Sequence, residues 1–416
     1  MNMNILMLSA TFPYPPTRGG TSVRTFNLLK YLRQQGHSIS LATLRAPDVT
    51  DQEITALSSW VDELGVFPQI PSQNQSSTKV AQFKRLAEFA VNGTPPSVST
   101  THSERMQRWV NKKIESGQFD AITCEHCVNE SYVPEDILRH IPTAVVNIHS
   151  SVYGTCAHQL EGGMAEKPWR DRINLPLLKR YEHHYCQKFS HLVVTTPEDR
   201  KQIAKLSGKT QISVIANGVD LAAFPPRSQD PGGHSLVFIG AMDNLPNIDA
   251  VTYLANKIFP LVRQKYPDAA LSLVGSRPTR AVRALGEQPN VVVTGRVSEM
   301  RPYLHESTIC VVPMRTGYGI KNKTLEAMAA GIPVVASDRG LEGLSVDGSK
   351  VPLRALRANT PEEVAAAIGR LFDSAELRQT LSSNGRELIE QGYTWAIAGQ
   401  QYEQVLRSSV LAQEAV

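Results

Sequence analysis

The chain of 416 residues contains two series of short apolar segments that alternate with amphipathic segments, and this alternation limits the fold more than any other feature. Residues 4–9 form the first apolar segment, and a helical pattern follows from about Thr21 until Gly36. Apolar runs of this length are typical of buried strands, and helices between consecutive strands make those strands parallel. The sequence therefore predicts an α/β protein with doubly wound sheets.

Further segments with the buried-strand pattern follow along the chain. In the first half they are residues 38–43, 121–123, 144–149, 192–195 and 212–215. In the second half they are residues 236–239, 271–274, 291–294, 309–312 and 333–336. Between the segments 38–43 and 121–123, residues 72–78 are predicted to be a polar loop and residues 82–91 an amphipathic helix.

Proline and glycine between the two series predict a domain boundary, with FPP at residues 224–226 and PGG at residues 231–233. Because parallel sheets bind ligands outside the carboxyl ends of their strands, two such domains facing each other are expected to form a ligand cleft. The predicted parts are a Rossmann-like domain at 1–220, a linker at 221–234, a second Rossmann-like domain at 235–393, and a helix at 394–416 that returns to the first domain.

Composition excludes several classes of protein. The net charge of +4 permits a phosphorylated ligand or an anionic membrane surface, but it is far too small for a nucleic-acid-binding protein. No apolar run has the length of a transmembrane helix, and the N-terminus lacks the basic region of a signal peptide. Five scattered cysteines fit reduced cytosolic thiols, so a cytoplasmic protein is expected. Cys124 and Cys127 have CxxC spacing, but no second pair accompanies them, and no metal site is predicted.

Residues 317–337, with the sequence GYGIKNKTLEAMAAGIPVVAS, have the pattern of a glycine-rich loop, a short helix and a buried strand. Loop glycines allow backbone N–H groups to face a ligand, and the start of a helix carries partial positive charge. Lys321 and Lys323 add full charge, so a phosphate-bearing ligand is expected there. Glu326 lies about one turn beyond Lys323, where its carboxylate can accept hydrogen bonds from sugar hydroxyls. The alternative is an ordinary loop, helix and strand with solvated charges.

Five segments in this order resemble the retaining GT-B glycosyltransferases of family four over essentially the whole chain. They are residues 13–20, the run IANGVD at 215–220, FIG at 238–240, VTGRV at 293–297, and residues 317–337. The resemblance implies transfer of a sugar from a UDP- or GDP-linked donor to a hydroxyl, with retention of anomeric configuration and without a divalent metal or other cofactor. Domain closure around the donor is expected to exclude water. Retention without an obvious enzymic nucleophile fits a front-face reaction, in which the departing phosphate oxygen accepts the proton of the acceptor.

The resemblance assigns donor contacts residue by residue. Glu326 matches the family glutamate that holds the donor ribose, and Lys323 matches a position that some members use against the diphosphate. Gly319, Ile320 and Lys321 belong to the same helix start, which is expected to receive the diphosphate. Arg296, just after a predicted strand, either contacts the donor or forms an ion pair.

Two further positions follow from the resemblance in the first half of the chain. His149 resembles the family histidine near the reacting sugar, and with Lys323 it is the predicted catalytic residue. His126, at another strand end, is the second candidate. Gly20 either approaches the donor phosphate or belongs to a plain turn.

The sequence departs from the family pattern at two places. Tyr318 stands where paired-glutamate members carry their first acidic residue. The loop 240–247, GAMDNLPN, lacks the arginine and lysine that many members use against the diphosphate. Lys321, Lys323 or Arg315 is therefore expected to replace that charge. The PN and NKxLE variants occur together in one branch of the family, which suggests a coordinated change.

Two other functions fit the same residues. A nucleotide-sugar epimerase would need acidic groups at the sugar, whereas a non-catalytic nucleotide-sugar-binding subunit would tolerate the two departures. The expected acceptor is a saccharide or a lipid-linked saccharide, with the protein at the inner membrane face. A basic set fits an anionic lipid surface or a solvated face, and the solvated face is favoured; its members are Arg85, Arg105, Arg108, Lys112 and Lys113.

Overall fold

The computed structural model describes residues 2–69, 89, 93–99, 102–149, 151–163, 165 and 167–414. It divides into two compact units, one formed by residues 1–215 with 398–416 and the other by residues 216–397. Each unit contains one parallel β-sheet with its own hydrophobic core. The α/β class and the two Rossmann-like sheets predicted from the sequence are therefore confirmed.

The sheet of the first unit has the strand order β3-β2-β1-β4-β5-β6-β7, with every neighbouring pair parallel. Its central strands β1, β4 and β5 are buried almost throughout, as expected for apolar runs inside a parallel sheet. The strands are β1 Asn4–Ser9, β2 Ser38–Arg45, β3 Glu63–Pro68, β4 Ala121–Glu125, β5 Thr143–Ile148, β6 His191–Val194 and β7 Ile212–Val214.

The sheet of the second unit has the order β10-β9-β8-β11-β12-β13 and is also parallel throughout. Its strands are β8 Ser235–Ile239, β9 Ala270–Val274, β10 Val291–Val293, β11 Ile309–Val312, β12 Val334–Ala336 and β13 Leu356–Arg357.

α-Helices lie between most consecutive strands of each sheet. In the first unit they are α1 Gly20–Gln34, α2 Asp51–Ser58, α3 Pro96–Ser99, α4 Glu104–Glu115, α5 Val152–Glu161, α6 Pro168–Lys188 and α7 Pro197–Ser207. In the second they are α8 Leu245–Tyr253, α9 Phe259–Lys265, α10 Arg280–Ala284, α11 Arg301–His305, α12 Asn322–Ala329, α13 Pro361–Asp373 and α14 Ala375–Gly392. The last helix is α15 Trp395–Glu414.

Helix α15 belongs mainly to the first unit, which includes the chain from Ala398 onward. The Tyr402 hydroxyl donates to Glu125 at 2.8 Å and accepts from Asn147 at the same distance. The segment 221–234, predicted as a linker, lies within the second unit, where the Arg227 N–H donates to the Ala330 carbonyl at 3.0 Å.

The eleven strands predicted from the sequence are all present, with ends that differ by at most two residues. Strands β3 and β13 were not predicted. Strand β3 contains glycine and ends at proline, and strand β13 has two residues, so neither has an apolar run long enough to be recognised. The predicted loop at 72–78 lies outside the described residues, as does the predicted helix at 82–91 except for Phe89.

Strand order reverses direction once in each sheet, between β1 and β4 in the first unit and between β8 and β11 in the second. At such a point the connections leave the carboxyl edge in opposite directions, and the crevice between them is where open α/β sheets bind ligands. Ligand-binding residues are therefore expected in the loops after β1 and β4, and in the loops after β8 and β11.

Candidate active site

The loop after β11 leads into α12 at the switch point of the second sheet. Gly317 and Gly319 have φ values of 102° and 69°, a left-handed conformation that glycine adopts without strain. Helix α12 begins at Asn322, and Lys321 at its N-cap position makes no side-chain cap. The first N–H groups of a helix have no partner within the helix, so this start is a region of partial positive charge.

Lys323, in the first turn of α12, reaches the loop after β8. Its ammonium donates to the Asn247 side-chain oxygen at 2.9 Å, and the Asn247 amide group donates in turn to the Ala241 carbonyl at 2.8 Å. The second bond fixes the amide so that its oxygen faces the lysine. The ammonium also lies 5.3 Å from the centre of the Phe238 ring. Burial and the nearby charge of Lys321 lower the pKa of Lys323 to about 8.

Glu326 follows Lys323 by three residues on the same face of α12. Within the described part of the chain its carboxylate has no hydrogen bond or ion pair, although the charge of Lys323 acts on it. Burial raises the pKa of Glu326 to about 7, and Lys323 partly opposes that shift. A carboxylate kept without a protein partner in partial burial is available to accept hydrogen bonds from a ligand.

The other two candidate cations of this loop are paired with carboxylates. The Lys321 ammonium is buried, donates to the Gly319 carbonyl and lies 3.2 Å from a Glu342 oxygen. Arg315 forms a two-pronged ion pair with Asp249 of α8, with Nε 3.0 Å from one carboxylate oxygen. Its guanidinium also lies 4.5 Å from the centre of the Tyr253 ring. Among the three residues expected to replace the missing charge, Lys323 is thus the one that no ion pair joins to a carboxylate among the described residues.

Two glycines allow the strand ends to approach this site closely. A Cβ added to Gly275, after β9, would lie 1.7 Å from the Gly240 carbonyl oxygen. A Cβ added to Gly240, after β8, would lie 2.9 Å from Asn247 and 3.3 Å from Lys323. Both glycines also have positive φ values, 157° and 154°. The site therefore depends on bare backbone at both positions.

The structure does not bring Arg296 to this site. It follows β10, which lies at the end of the sheet and is separated from β8 by β9. Arg296 is exposed and makes no ion pair with other described residues. Gly319 and Ile320, by contrast, are buried in the loop that leads to Lys321.

In the first unit, His126 and His149 follow the adjacent strands β4 and β5, and their rings meet edge to face with centres 5.3 Å apart. His126 has φ 121°, a strained value for a residue with a side chain, and its Nδ1 accepts from the Val128 N–H at 3.3 Å. The His149 Nε2 is buried and has no hydrogen-bond partner among the described residues. Burial lowers the pKa of both, for His126 to about 4 and for His149 well below the ordinary value, so both rings are neutral.

A buried polar network lies next to the two histidines. Arg24 of α1 donates to the Asn147 side-chain oxygen at 3.1 Å and to the Ile215 carbonyl at 3.0 Å. Asn147 donates to Glu125 at 3.1 Å and to Tyr402 at 2.8 Å. Burial lowers the pKa of Arg24 to about 10 and raises that of Glu125, while each charge favours the ionised form of the other. The network joins α1, β4, β5 and α15 just below the strand end that carries His149.

The loop after β1 completes this edge of the first sheet. The Ala10 N–H donates to the Asn129 side chain at 2.7 Å, and the Ser22 hydroxyl donates to the Phe12 carbonyl at 3.0 Å. Gly20 is the first residue of α1, and it follows Gly19 with φ 151°. The structure thus places Gly20 at a helix start beside the switch point between β1 and β4.

The structure describes no site for a metal or a disulfide at the CxxC segment. Cys124 and Cys127 are buried free thiols, and burial raises the pKa of each. Over the described ranges no three His, Cys, Asp or Glu side chains are grouped so that they could hold a metal ion. Over the same ranges no helix is both long and apolar enough to cross a membrane.

Two family models match the chain, and together they include both sheets. The model described as Glycosyltransferase Family 4 matches residues 18–223, and the model described as Glycosyl transferases group 1 matches residues 233–374. The chain belongs to the glycosyltransferases of family four. The family read from the five motifs is therefore confirmed, and it favours a transferase over an epimerase or a binding subunit.

Individual relatives agree with this assignment. The chain is 24% identical over 401 residues to a phosphatidyl-myo-inositol mannosyltransferase of Propionibacterium freudenreichii, covering 94% of this chain and 91% of the relative. It is 27% identical over 404 residues to the MMP alpha-(1->4)-mannosyltransferase of Mycolicibacterium hassiacum, covering 91% and 92%.

Solved structures show the same fold over nearly the whole chain. The sucrose-phosphate synthase of Thermosynechococcus elongatus has a TM-score of 0.69 and 19% identity, covering 99% of this chain and all of that one. Anabaena HepE, solved with UDP and glucose, has a TM-score of 0.64 and 15% identity, covering 98% of this chain and all of that one. The glycosyltransferase therefore has the GT-B fold, as the motifs predicted.

Sequence reasoning singled out Lys323 and Glu326 but missed the amide of Asn247 that holds Lys323. The contact of Asn247 with Lys323 spans 76 positions, although the joint occurrence of the PN and NKxLE variants was a signal for it. The network of Arg24, Glu125 and Tyr402 was also missed, because an arginine inside a helix pattern is ordinarily placed on the surface.

Proposed function

We propose that this glycosyltransferase binds a nucleotide diphosphate sugar at the start of α12, with the diphosphate against Lys323. One observation carries the proposal: the Lys323 ammonium is held by a neutral amide at an uncapped helix start, at the switch point of the sheet. A diphosphate can take up this charge without first breaking an ion pair. The same charge stabilises the leaving diphosphate as the glycosidic bond breaks.

Glu326 is proposed to hold the donor ribose. Its carboxylate lies one turn further along α12 than Lys323 and has no partner among the described residues, so two ribose hydroxyls can donate to it. Its raised pKa, about 7, would fall when hydroxyl donors stabilise the ionised form. Glu326 is thus a binding residue rather than an acid or base.

The nucleobase is proposed to be uracil or guanine. Anabaena HepE was solved with UDP, and a relative from Corynebacterium glutamicum, 28% identical over 223 residues, is named as GDP-mannose-dependent. The contacts of Gly20, Arg296 and Arg315 with the donor stay predictions. Since Arg315 is held by Asp249, and Arg296 lies two strands from the switch point, we place the main cationic contact at Lys323.

The acceptor is proposed to be a saccharide or a lipid-linked saccharide, in glycolipid or polysaccharide synthesis at the cytoplasmic membrane face. Relatives named for phosphatidyl-myo-inositol and its mannoside support a lipid-linked acceptor. At the carboxyl edge of the first sheet, the unpartnered Nε2 of His149 is proposed to hydrogen-bond a hydroxyl of the reacting sugar. A neutral imidazole suits this task, because it does not depend on protonation in the physiological range.

The reaction is proposed to retain anomeric configuration by the front-face route, with the departing phosphate oxygen taking the proton of the acceptor hydroxyl. Lys323 is then the catalytic cation. The configuration of the product, read by proton NMR before mutarotation, tests retention directly. A product with inverted configuration would overturn this part of the proposal.

A melting-temperature screen against UDP, GDP and their sugars tests the donor site, because ligands that bind the native state raise the melting temperature. We expect one nucleotide to raise it in the wild type and in Arg315→Ala, and to have at least tenfold weaker affinity for Lys323→Ala. Arg315→Ala tests the competing assignment, since it removes a neighbouring cation that is already paired with Asp249. Equal affinities for the wild type and Lys323→Ala would contradict the proposal.

A further inference from the structure

The outward side of α6 carries large apolar residues among basic ones. Trp169 and Ile173 are 61% and 46% exposed, which is unusual for side chains of this size. They are four residues apart, so they lie on one face of the helix. Other exposed residues recur at helical spacing on the same face, which we name the α6 outer face; they are Arg172, Pro176, Lys179 and Arg180.

The remaining residues of α6 explain why this face points away from the protein. Leu178, Tyr181, Tyr185 and Cys186 are buried in the core of the first unit. These residues follow the opposite stripe of the helix, so the helix is fixed with its outer face toward solvent. Trp169 and Ile173 thus contribute nothing to the core that would account for their size.

No carboxylate of α6 lies on its outer face. Asp171 is mostly buried and accepts from Arg170 at 2.9 Å, and the buried Glu182 accepts from the Val152 N–H at 2.8 Å. Glu135 lies near the end of the helix, where it pairs with His184 and Lys188. Arg172, Lys179 and Arg180 make no ion pair with other described residues, and their charges are therefore available to an anionic partner.

We propose that the α6 outer face docks on an anionic lipid bilayer. Tryptophan is favoured at the boundary between headgroups and acyl chains, where its ring is half in apolar surroundings. Basic side chains beside it bind anionic headgroups while their alkyl stems cover apolar surface. The face is a convex helix surface rather than a groove, and three unpaired bases around two apolar side chains complement a negative surface. The biological role of this docking rests on the proposed lipid-linked acceptor. The physical argument for it, from exposed apolar and basic side chains, does not depend on that acceptor.

The basic set considered from the sequence lies elsewhere, on α4. Arg105, Arg108 and Lys112 are exposed at spacings of three and four residues, so they also share one helix face. The large exposed hydrophobic side chains of the described residues do not include any on α4. Helix α4 therefore provides a matched control with the same number of bases and no apolar anchor.

Cosedimentation of the full chain with vesicles tests the docking. Vesicles of phosphatidylcholine with about a third phosphatidylglycerol are compared with vesicles of phosphatidylcholine alone. We expect binding to the anionic vesicles, a loss of at least tenfold for the double variant Trp169→Ala/Ile173→Ala, and a comparable loss for Arg172→Gln/Lys179→Gln/Arg180→Gln. The α4 variant Arg105→Gln/Arg108→Gln/Lys112→Gln should lose less than threefold.

The docking would be overturned by no binding of the wild type to anionic vesicles, by unchanged binding of both α6 variants, or by a larger loss in the α4 variant than in the α6 variants. Binding to heparin without binding to vesicles would also overturn it and would indicate a polyanionic partner. Nucleotide affinity of the same variants is measured in parallel. If vesicle binding follows the prediction while no nucleotide binds, the proposed transfer fails and the docking stands. If a nucleotide binds while anionic vesicles do not, the docking fails and the proposed transfer stands.

Discussion

The carboxyl edges of the two sheets each lie at a switch point of a parallel sheet, but they differ in whether their charged side chains are paired. In the second unit, Lys323 faces a neutral amide and Glu326 has no partner among the described residues, so charge is kept available. In the first unit, Arg24 and Glu125 are joined through Asn147 beneath two neutral histidines. Under the proposed function, one edge is suited to a charged ligand and the other to neutral hydroxyl groups.

The largest expected effect concerns the compensated charges of the first unit. Removing one member of a buried charge network leaves the other without its partner, and we expect Arg24→Met to lower the free energy of unfolding by about 3–5 kcal/mol. Arg33→Gln, which breaks an ion pair that is about one third exposed, should cost less than about 1 kcal/mol.

Urea unfolding in a Trp395→Phe background measures this effect, because Trp60, Trp109 and Trp169 all lie in the first unit and report on it alone. If Arg24→Met cost no more than Arg33→Gln, the network would not be a compensated buried charge, and the contrast between the two edges would fail.

The next effect concerns the uncompensated charge of the second unit. Without Lys323 the leaving diphosphate loses its proposed cation, so Lys323→Ala should lower kcat/KM by about 10²–10³-fold. The stability of Lys323→Ala should not fall by the free energy that corresponds to this loss of kcat/KM, because the partly buried charge of Lys323 itself destabilises the folded state. Steady-state transfer and nucleotide titration measure the two parts. A variant with near-normal turnover would mean that another group carries the diphosphate charge.

The third prediction concerns His149, a neutral side chain at the carboxyl edge of the first sheet. His149→Ala should lower kcat by about a hundredfold while the affinity for the nucleoside diphosphate alone stays within twofold, because the nucleotide is proposed to bind to the second unit. Since burial lowers the pKa of His149 well below its ordinary value, the wild type should show no change of kcat near pH 6.5 from this residue. Weakened nucleotide binding in this variant would place His149 at the diphosphate instead.

The smallest effect concerns the amide that holds the lysine. The Lys323 pKa of about 8 means that the ammonium is present below pH 8 and is lost as the pH rises, so donor affinity should fall above pH 8. Asn247→Asp gives the ammonium a charged partner, and the fall should move to higher pH by about one unit or more. Asn247→Ala should weaken binding only a few-fold at pH 7. Donor titrations from pH 6.5 to 10 check both, with Lys323→Arg as the variant in which the fall should disappear.

The fold could be predicted to this extent because buried parallel strands are continuous apolar runs that glycine or proline ends. Strand β11, ICVV, is such a run, whereas the edge strand β3 begins with glutamate and pairs on one side only. The sequence of β3 therefore lacks the continuous apolar run of a buried strand, and its position in the sheet is set by pairing with β2.

Within the site, the sequence identified residue types but not their partners. Nothing in the local sequence distinguishes Lys321 from Lys323. In the structure, the Lys321 ammonium lies beside Glu342, whereas the Lys323 ammonium donates to Asn247. Which lysine stays available is decided by side chains 21 and 76 positions away, and no local pattern contains that information.

A crystal structure with the bound nucleoside diphosphate tests the central assignment most directly. It should place a phosphate oxygen about 2.7–3.2 Å from the Lys323 ammonium, and the ribose hydroxyls on Glu326. A diphosphate held by Arg296 or Arg315, with Lys323 still bonded to Asn247 and distant from the ligand, would contradict it.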